Sequence, residues 1–152
     1  MKRLALVILG LSFNAFAGQS VDYQSDGVEL EGYYAQAQGT PKGSVILIHD
    51  WDGLTEYEQK RVNMLSEMGY NAFAVDLYGK GNRPVDTNAK KAETGKLYKD
   101  REKMRTLIIA GLDKAREMGV EEVVVAGYCF GGAATLELAR SGKAAGVNGY
   151  AT

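Results

Sequence analysis

The sequence has few cysteines, histidines and prolines and almost no net charge. It has one cysteine, so no disulfide can form within the chain, and it has one histidine and two prolines. Its formal net charge is -1, which gives no electrostatic argument for binding nucleic acid or an anionic membrane surface. No internal repeat or low-complexity linker interrupts it. These absences leave one globular domain of ordinary size, with 152 residues of which 45% are hydrophobic.

Residues 1–17 follow the basic, apolar and small-residue order of a secretory signal peptide. A basic Met-Lys-Arg start precedes an apolar run over residues 4–11, and an Ala-Phe-Ala triplet follows at residues 15–17. The run is too short to cross a bilayer as a helix. A buried N-terminal strand is the alternative, but it explains neither the basic start nor the Ala-x-Ala ending. We therefore predict a signal peptide over residues 1–17, a mature protein from Gly18, and a periplasmic or secreted location.

After residue 17 the chain alternates between two hydrophobic periodicities, and the order of the elements predicts the fold. The predicted strands cover residues 21–24, 28–35, 44–48, 71–77, 122–126 and 147–151. The predicted helices cover residues 55–68, 89–118 with a break near Gly95, and 131–140. Strands that alternate with helices after an opening hairpin predict an α/β fold, with a mainly parallel sheet and helices on both faces. Because the chain ends inside a predicted strand, we expect the domain, residues 18–152, to be incomplete at its C-terminus.

The only cysteine lies in a segment with the form of a nucleophile elbow, Gly127-Tyr128-Cys129-Phe130-Gly131. A predicted buried strand precedes this segment and a predicted helix follows it, which is the context that the motif requires. Glycine two positions before and after the nucleophile keeps neighbouring backbone from clashing in a strained turn. At a helix N-terminus the macrodipole and the unpaired amides favour a thiolate. A buried, inert cysteine is the alternative, but the flanking strand and helix favour Cys129 as a nucleophile.

A nucleophile that attacks an ester carbonyl needs hydrogen-bond donors for the developing oxyanion. Behind an elbow of this kind, one donor is the amide that follows the nucleophile, which is Phe130 here. The other comes from the loop after the third strand, which is Ile48-His49-Asp50-Trp51-Asp52-Gly53 in this chain. The Trp51 amide is therefore the second predicted donor.

The segments IHDWDGL, AFAVDLYGKG and VAGYCFGGAATLELA resemble the dienelactone hydrolase family of the α/β-hydrolase fold. The resemblance runs from about Gly43 to the end of the chain. It implies an enzyme that hydrolyses small carboxylic esters or lactones and needs no metal and no organic cofactor. It also implies Cys129 as the catalytic nucleophile and the amides of Trp51 and Phe130 as the oxyanion hole.

Further side chains enter the predicted site. By the resemblance, Asp50 stands where the family often has a glutamate that contacts the resting cysteine, and Lys80 lies near an arginine that binds substrate carboxylate. Aspartate is shorter than glutamate, and lysine offers a point charge instead of a bidentate fork. Lys80 and Arg83 belong to a polar, glycine-rich loop over residues 79–88, predicted to be mobile, although a solvated face is the simpler interpretation for Arg83. Tyr128, next to the nucleophile, is also predicted to bind substrate.

A general base in the family's order is missing from the sequence. In the family the acid and the histidine follow the nucleophile, but after Cys129 there is no histidine and no aspartate, only Glu137. The one histidine, His49, precedes the predicted oxyanion loop. We expect it to support the site through a hydrogen bond with the loop backbone rather than to act as the base.

Two interpretations of the function stay open at this point. In the first, these residues are the N-terminal part of a hydrolase truncated before its catalytic Asp and His, because an end inside a strand exposes sheet edge and apolar surface. In the second, the chain is a catalytically incomplete binding protein that keeps the cleft. We predict the hydrolase, with a small-molecule ester or lactone as its partner, no nucleic-acid or membrane partner, and no predicted oligomeric state.

Overall fold

A computed structural model describes residues 18–152 of the protein, so the predicted signal peptide lies outside the described residues. Within this range the elements are β1 Gln19–Ser25, β2 Val28–Ala35, β3 Ser44–Ile48, α1 Glu56–Glu67, β4 Asn71–Val75, α2 Thr87–Lys99, α3 Arg101–Glu117, β5 Val123–Gly127, α4 Phe130–Ser141 and β6 Val147–Ala151. In residues 18–152, no helix combines the length and the apolar character needed to cross a membrane.

The strands form one sheet in the order β1-β2-β4-β3-β5-β6. The pairs β1–β2 and β2–β4 are antiparallel, and the pairs β4–β3, β3–β5 and β5–β6 are parallel, which confirms a hairpin followed by a mainly parallel sheet. The register places Ile48, at the end of β3, between Val75 of β4 and Gly127 of β5. The carboxyl ends of three parallel strands thus meet at one edge, where open α/β sheets bind their ligands.

Helices cover both faces of the sheet, as predicted. Helix α1 packs on one face against β2, β3 and β4, where Leu47 and Val62 are buried. Helices α3 and α4 pack on the other face, with α2 against α3, around a larger core that includes Phe73, Ile108 and Phe130. β3 lies between the two cores and is almost fully buried, as its unbroken apolar run predicts.

The predicted helix break near Gly95 was wrong, because the chain leaves the helix at Asp100. Asp100 has φ -124° and ψ 79°, and its carboxylate accepts a hydrogen bond from the Lys103 amide at 2.9 Å. That bond caps the start of α3, which makes the break favourable there. Gly95 stays inside α2, since glycine within a helix costs only about 1 kcal/mol relative to alanine.

Strand β4 is also shorter than predicted, ending at Val75 rather than Leu77. The Asp76 carboxylate accepts hydrogen bonds from the amides of Tyr78 at 2.9 Å and Gly79 at 3.2 Å. This local turn competes with strand pairing and bends the chain away from the sheet.

Candidate active site

Cys129 lies in the turn between β5 and α4, with an exposed side chain. Its backbone has φ 52° and ψ -110°, a conformation that residues with a side chain rarely adopt. Such strain persists only where the surrounding structure holds it, and it is concentrated at functional sites. The turn therefore presents the thiol at the carboxyl edge of the sheet, with the geometry of a nucleophile elbow.

Two glycines allow the elbow to pack against the end of β3. A Cβ atom on Gly131 would lie 2.3 Å from the carbonyl oxygen of Ile48 and 2.6 Å from that of His49. A Cβ atom on Gly127 would lie 2.2 Å from the carbonyl oxygen of Gly131. All three distances are to backbone, so only glycine fits at either position without moving the chain. The N-terminus of α4 is thereby brought directly against the loop that follows β3.

The two predicted oxyanion donors belong to the segments that Gly131 brings together. Among the hydrogen bonds within residues 18–152, none uses the amide of Trp51 or of Phe130 as donor. Phe130 is the first residue of α4, so its amide has no acceptor within the helix. Backbone amides without a partner, beside a nucleophile, can bind a negatively charged oxygen.

The loop after β3 is shaped by Asp50, whose carboxylate accepts a hydrogen bond from the Asp52 amide at 2.8 Å. The Asp50 carbonyl also accepts a bond from the Gly53 amide at 3.4 Å. These two hydrogen bonds of Asp50 therefore stabilise the turn that carries Trp51.

His49 is completely buried beneath this loop, and both of its ring nitrogens are bonded to backbone. Nε2 accepts from the Leu77 amide at 3.1 Å, and Nδ1 lies 2.6 Å from the Asp50 carbonyl oxygen. A nitrogen that accepts from an amide carries no proton, so the ring is the neutral tautomer with its proton on Nδ1. Burial lowers the pKa of His49, which also favours the neutral ring. His49 is thus bonded to the loop backbone as expected, and neither nitrogen can accept a proton from Cys129.

The far end of the loop is held by Glu58, which the sequence reasoning missed. The buried Glu58 carboxylate accepts from the amide and the hydroxyl of Thr55, each at 2.8 Å, in a capping box at the start of α1. Burial raises the pKa of Glu58. The Thr-x-x-Glu pattern over residues 55–58 is the signal that could have identified it.

The structure does not bring Lys80 to the elbow. Its ammonium group pairs with Asp22 on β1, and its amide donates to the Glu29 carbonyl at 2.9 Å. In the sheet β1 is separated from β5 by β2, β4 and β3, which corresponds to about 19 Å at the usual strand spacing. Lys80 is therefore too far from Cys129 to bind the substrate there.

Arg83 has a structural position, so the predicted solvated face is wrong. Its side chain is only 21% exposed and lies 3.7 Å from the buried Asp76 carboxylate. The guanidinium donates to the carbonyl groups of Gly79 at 3.2 Å and Asn82 at 3.0 Å, and to that of Leu54. These bonds join the loop after β4 to the loop after β3.

Two further side chains lie next to residues of the predicted site. Tyr128 precedes the nucleophile, is 42% exposed, and packs edge-on against Tyr57 with ring centroids 5.9 Å apart. Lys90 of α2, which no sequence pattern indicated, lies 2.6 Å from the Asp52 carboxylate and 5.3 Å above the Trp51 ring. Lys90, unlike Lys80, contacts the predicted oxyanion loop, through Asp52 and Trp51.

A mainly parallel sheet with a strained cysteine at the turn from strand to helix is the arrangement of an α/β-hydrolase. The dienelactone hydrolase family matches this chain over residues 30–151. The chain belongs to that family.

The chain is also similar to individual proteins and solved structures. The chain is 30% identical over 132 residues to Protein usf of Aquifex pyrophilus, which covers 83% of this chain and 56% of that protein. The solved structure m3DLH is 29% identical with a TM-score of 0.77, over 88% of this chain and 57% of that one. The dienelactone hydrolase-like promiscuous phosphotriesterase P91 from metagenomic libraries is 26% identical with a TM-score of 0.79, over 89% and 58%. The chain thus spans slightly more than half the length of these relatives.

Proposed function

We propose that the protein hydrolyses small carboxylic esters or lactones, with Cys129 as the nucleophile. The observation that carries the proposal is the elbow itself, an exposed cysteine with φ 52°, together with the amides of Trp51 and Phe130, which donate no hydrogen bond within residues 18–152. Membership of the dienelactone hydrolase family supports the same chemistry.

In the proposed reaction the Cys129 thiolate attacks the ester carbonyl carbon and forms a carbon–sulfur bond. The carbonyl oxygen takes up the negative charge and accepts hydrogen bonds from the amides of Trp51 and Phe130. Collapse of this intermediate breaks the carbon–oxygen bond to the alcohol group, which leaves as an alkoxide and takes a proton from water, and a thioester remains on Cys129. Water then hydrolyses the thioester, releasing the carboxylic acid and restoring the thiol. In this proposal Tyr128, which precedes the nucleophile and is exposed, contacts the substrate.

Hydrolysis of the thioester needs a general base, and the groups considered from the sequence do not supply one. His49 has both nitrogens occupied, and Glu137 is paired with Arg101 at 2.7 Å and Arg105 at 2.6 Å. The hydrogen bond from Arg101, with further help from Arg105, lowers the pKa of Glu137 and keeps it a weak base. We therefore expect this chain to be acylated faster than it is deacylated.

The test is to treat the protein with p-nitrophenyl acetate and to follow its mass and the release of p-nitrophenolate. We expect one acetyl group per chain on the peptide that contains Cys129, formed with a burst of one equivalent of p-nitrophenolate. The same protein unfolded in urea is the control, because it has the same thiol but no oxyanion hole. Acetylation confined to lysines, or no faster in the folded protein than in urea, would contradict the proposal and favour a binding protein that keeps only the cleft.

We also propose that the protein is exported, on the basis of the basic, apolar and small-residue order of residues 1–17. Expressed from Met1 in a Gram-negative host, it should be recovered from the periplasm. N-terminal sequencing of that fraction should begin at Gly18. Cytosolic protein that retains Met1 would show that these residues do not direct export.

A further inference from the structure

We propose that His49 is a positioning residue of the oxyanion hole, which acts by fixing the peptide group between Asp50 and Trp51. The inference rests on the proposed acyl transfer at Cys129. In it, His49 orients a hydrogen-bond donor and does not act as the general base.

The geometry of one peptide group carries the proposal. The carbonyl that His49 contacts at 2.6 Å belongs to Asp50, and the N–H of the same peptide group is the Trp51 amide. Residues 18–152 contain no cis peptide bond, so this group is trans and its N–H points opposite to its carbonyl. When the carbonyl is held at the ring, the Trp51 N–H must point away from it. Rotation of this peptide would remove the donor from the site.

The histidine ring can act in this way because it is itself held firmly. Its Nε2 accepts from the Leu77 amide at 3.1 Å, and its ring packs edge-on against Tyr78 with centroids 4.6 Å apart. The ring is completely buried, and Gly131 packs against the carbonyl groups of Ile48 and His49. The backbone that the ring orients is therefore the backbone that borders the elbow.

The bond to His49 also favours a stronger donor at Trp51. A hydrogen bond to the carbonyl polarises the peptide group and increases the partial positive charge on its N–H. The charged groups around the ring are Asp50, Asp76 and Arg83, but desolvation outweighs them and lowers the pKa of His49. The ring thus stays neutral, with its proton on the nitrogen that faces the Asp50 carbonyl.

Two substitutions separate the two bonds of the ring. His49→Gln can place its carbonyl oxygen near the position of Nε2 and keep the bond from Leu77, but it has no donor near Nδ1. His49→Asn can place its amide nitrogen near Nδ1 and keep the bond to the Asp50 carbonyl, but it does not reach Leu77. A role in packing predicts similar effects for both variants, whereas a role in orienting the peptide predicts different ones.

The experiment compares two reactions of Cys129 in wild type and in both variants. Acetylation by p-nitrophenyl acetate passes through an oxyanion, whereas alkylation by iodoacetamide displaces iodide at a saturated carbon and does not. The ratio of the two rates therefore reports on the oxyanion hole and cancels changes in thiol exposure or ionisation. We expect His49→Gln to lower this ratio about 100-fold, as the loss of one oxyanion donor does in other enzymes. His49→Asn should recover most of that loss.

An unchanged ratio in His49→Gln, or an equal loss in His49→Asn, would overturn the inference. If a variant does not fold, the inference can still be tested on the wild-type protein. There, ¹⁵N NMR of the histidine ring shows which nitrogen of His49 carries the proton. A proton on Nε2 would also overturn it. Failure of the proposed function would give a different result. In that case the wild-type protein would show the same ratio of acetylation to alkylation as the protein unfolded in urea.

Discussion

Replacing Cys129 with glycine should abolish acylation and at the same time raise the free energy of unfolding by about 1–2 kcal/mol. The first effect follows from loss of the thiol. The second follows from the backbone, because φ 52° and ψ -110° are strained for any residue with a Cβ atom and unstrained for glycine. The protein would thus become more stable by losing its proposed nucleophile.

The matched control for this variant is Cys129→Ala, which also removes the thiol but keeps the Cβ atom. It should lose acylation as completely, while its stability stays within about 0.5 kcal/mol of wild type, because the side chain is exposed. Urea denaturation measures both stabilities, and mass spectrometry measures acylation. Equal stabilities for the glycine and alanine variants would mean that the turn is not strained, and acylation that survives in either variant would place the nucleophile elsewhere.

Replacing Gly131 with alanine should destabilise the protein by about 3 kcal/mol or more. The added methyl group would lie 2.3 Å from the carbonyl oxygen of Ile48 and 2.6 Å from that of His49. Both are backbone atoms of a buried strand end, so no side-chain rotation can relieve the clash. We also expect the ratio of acetylation to alkylation at Cys129 to fall, since α4 must move away from the loop that carries Trp51.

Gly132→Ala, one position further along the same helix, is the control for this effect. Its Cβ atom would lie 3.4 Å from the nearest atom, the Gly127 carbonyl oxygen, a contact that a shift of a few tenths of an ångström relieves. Alanine in a helix gains up to about 1 kcal/mol over glycine, so we expect stability close to that of wild type or slightly above it. Equal destabilisation by the two substitutions would show that the contact between α4 and β3 is not what Gly131 provides.

The sequence predicted those parts of the fold that local patterns determine. The unbroken apolar run of residues 44–48 predicted a buried strand with the bounds that the structure has. The glycines on either side of Cys129 predicted a strained turn, because the contact between Gly127 and the Gly131 carbonyl lies within the motif itself. Alternation of strands and helices predicted the parallel sheet.

The contacts of individual site residues could not be predicted in this way, because they depend on the order of the strands in space. His49 bonds to Leu77 only because β4 lies beside β3. Lys80 pairs with Asp22 because β2 inserts antiparallel next to β4 and brings β1 to that side. Lys90 reaches Asp52 from a helix that no short motif connects to the loop. Each of these pairs joins segments far apart in sequence.

The contact between Gly131 and the end of β3 also determines when in folding the elbow can exist. Ile48 and Gly127 are paired in the sheet although a helix, a strand and two further helices separate them along the chain. Closing so long a loop costs entropy that only the completed pairing offsets. A short peptide with only the Gly-Tyr-Cys-Phe-Gly segment has nothing to hold Cys129 at positive φ and should behave as an ordinary thiol. The nascent chain therefore forms the strained turn at Cys129 late, after β5 and α4 have been synthesised and have docked against β3.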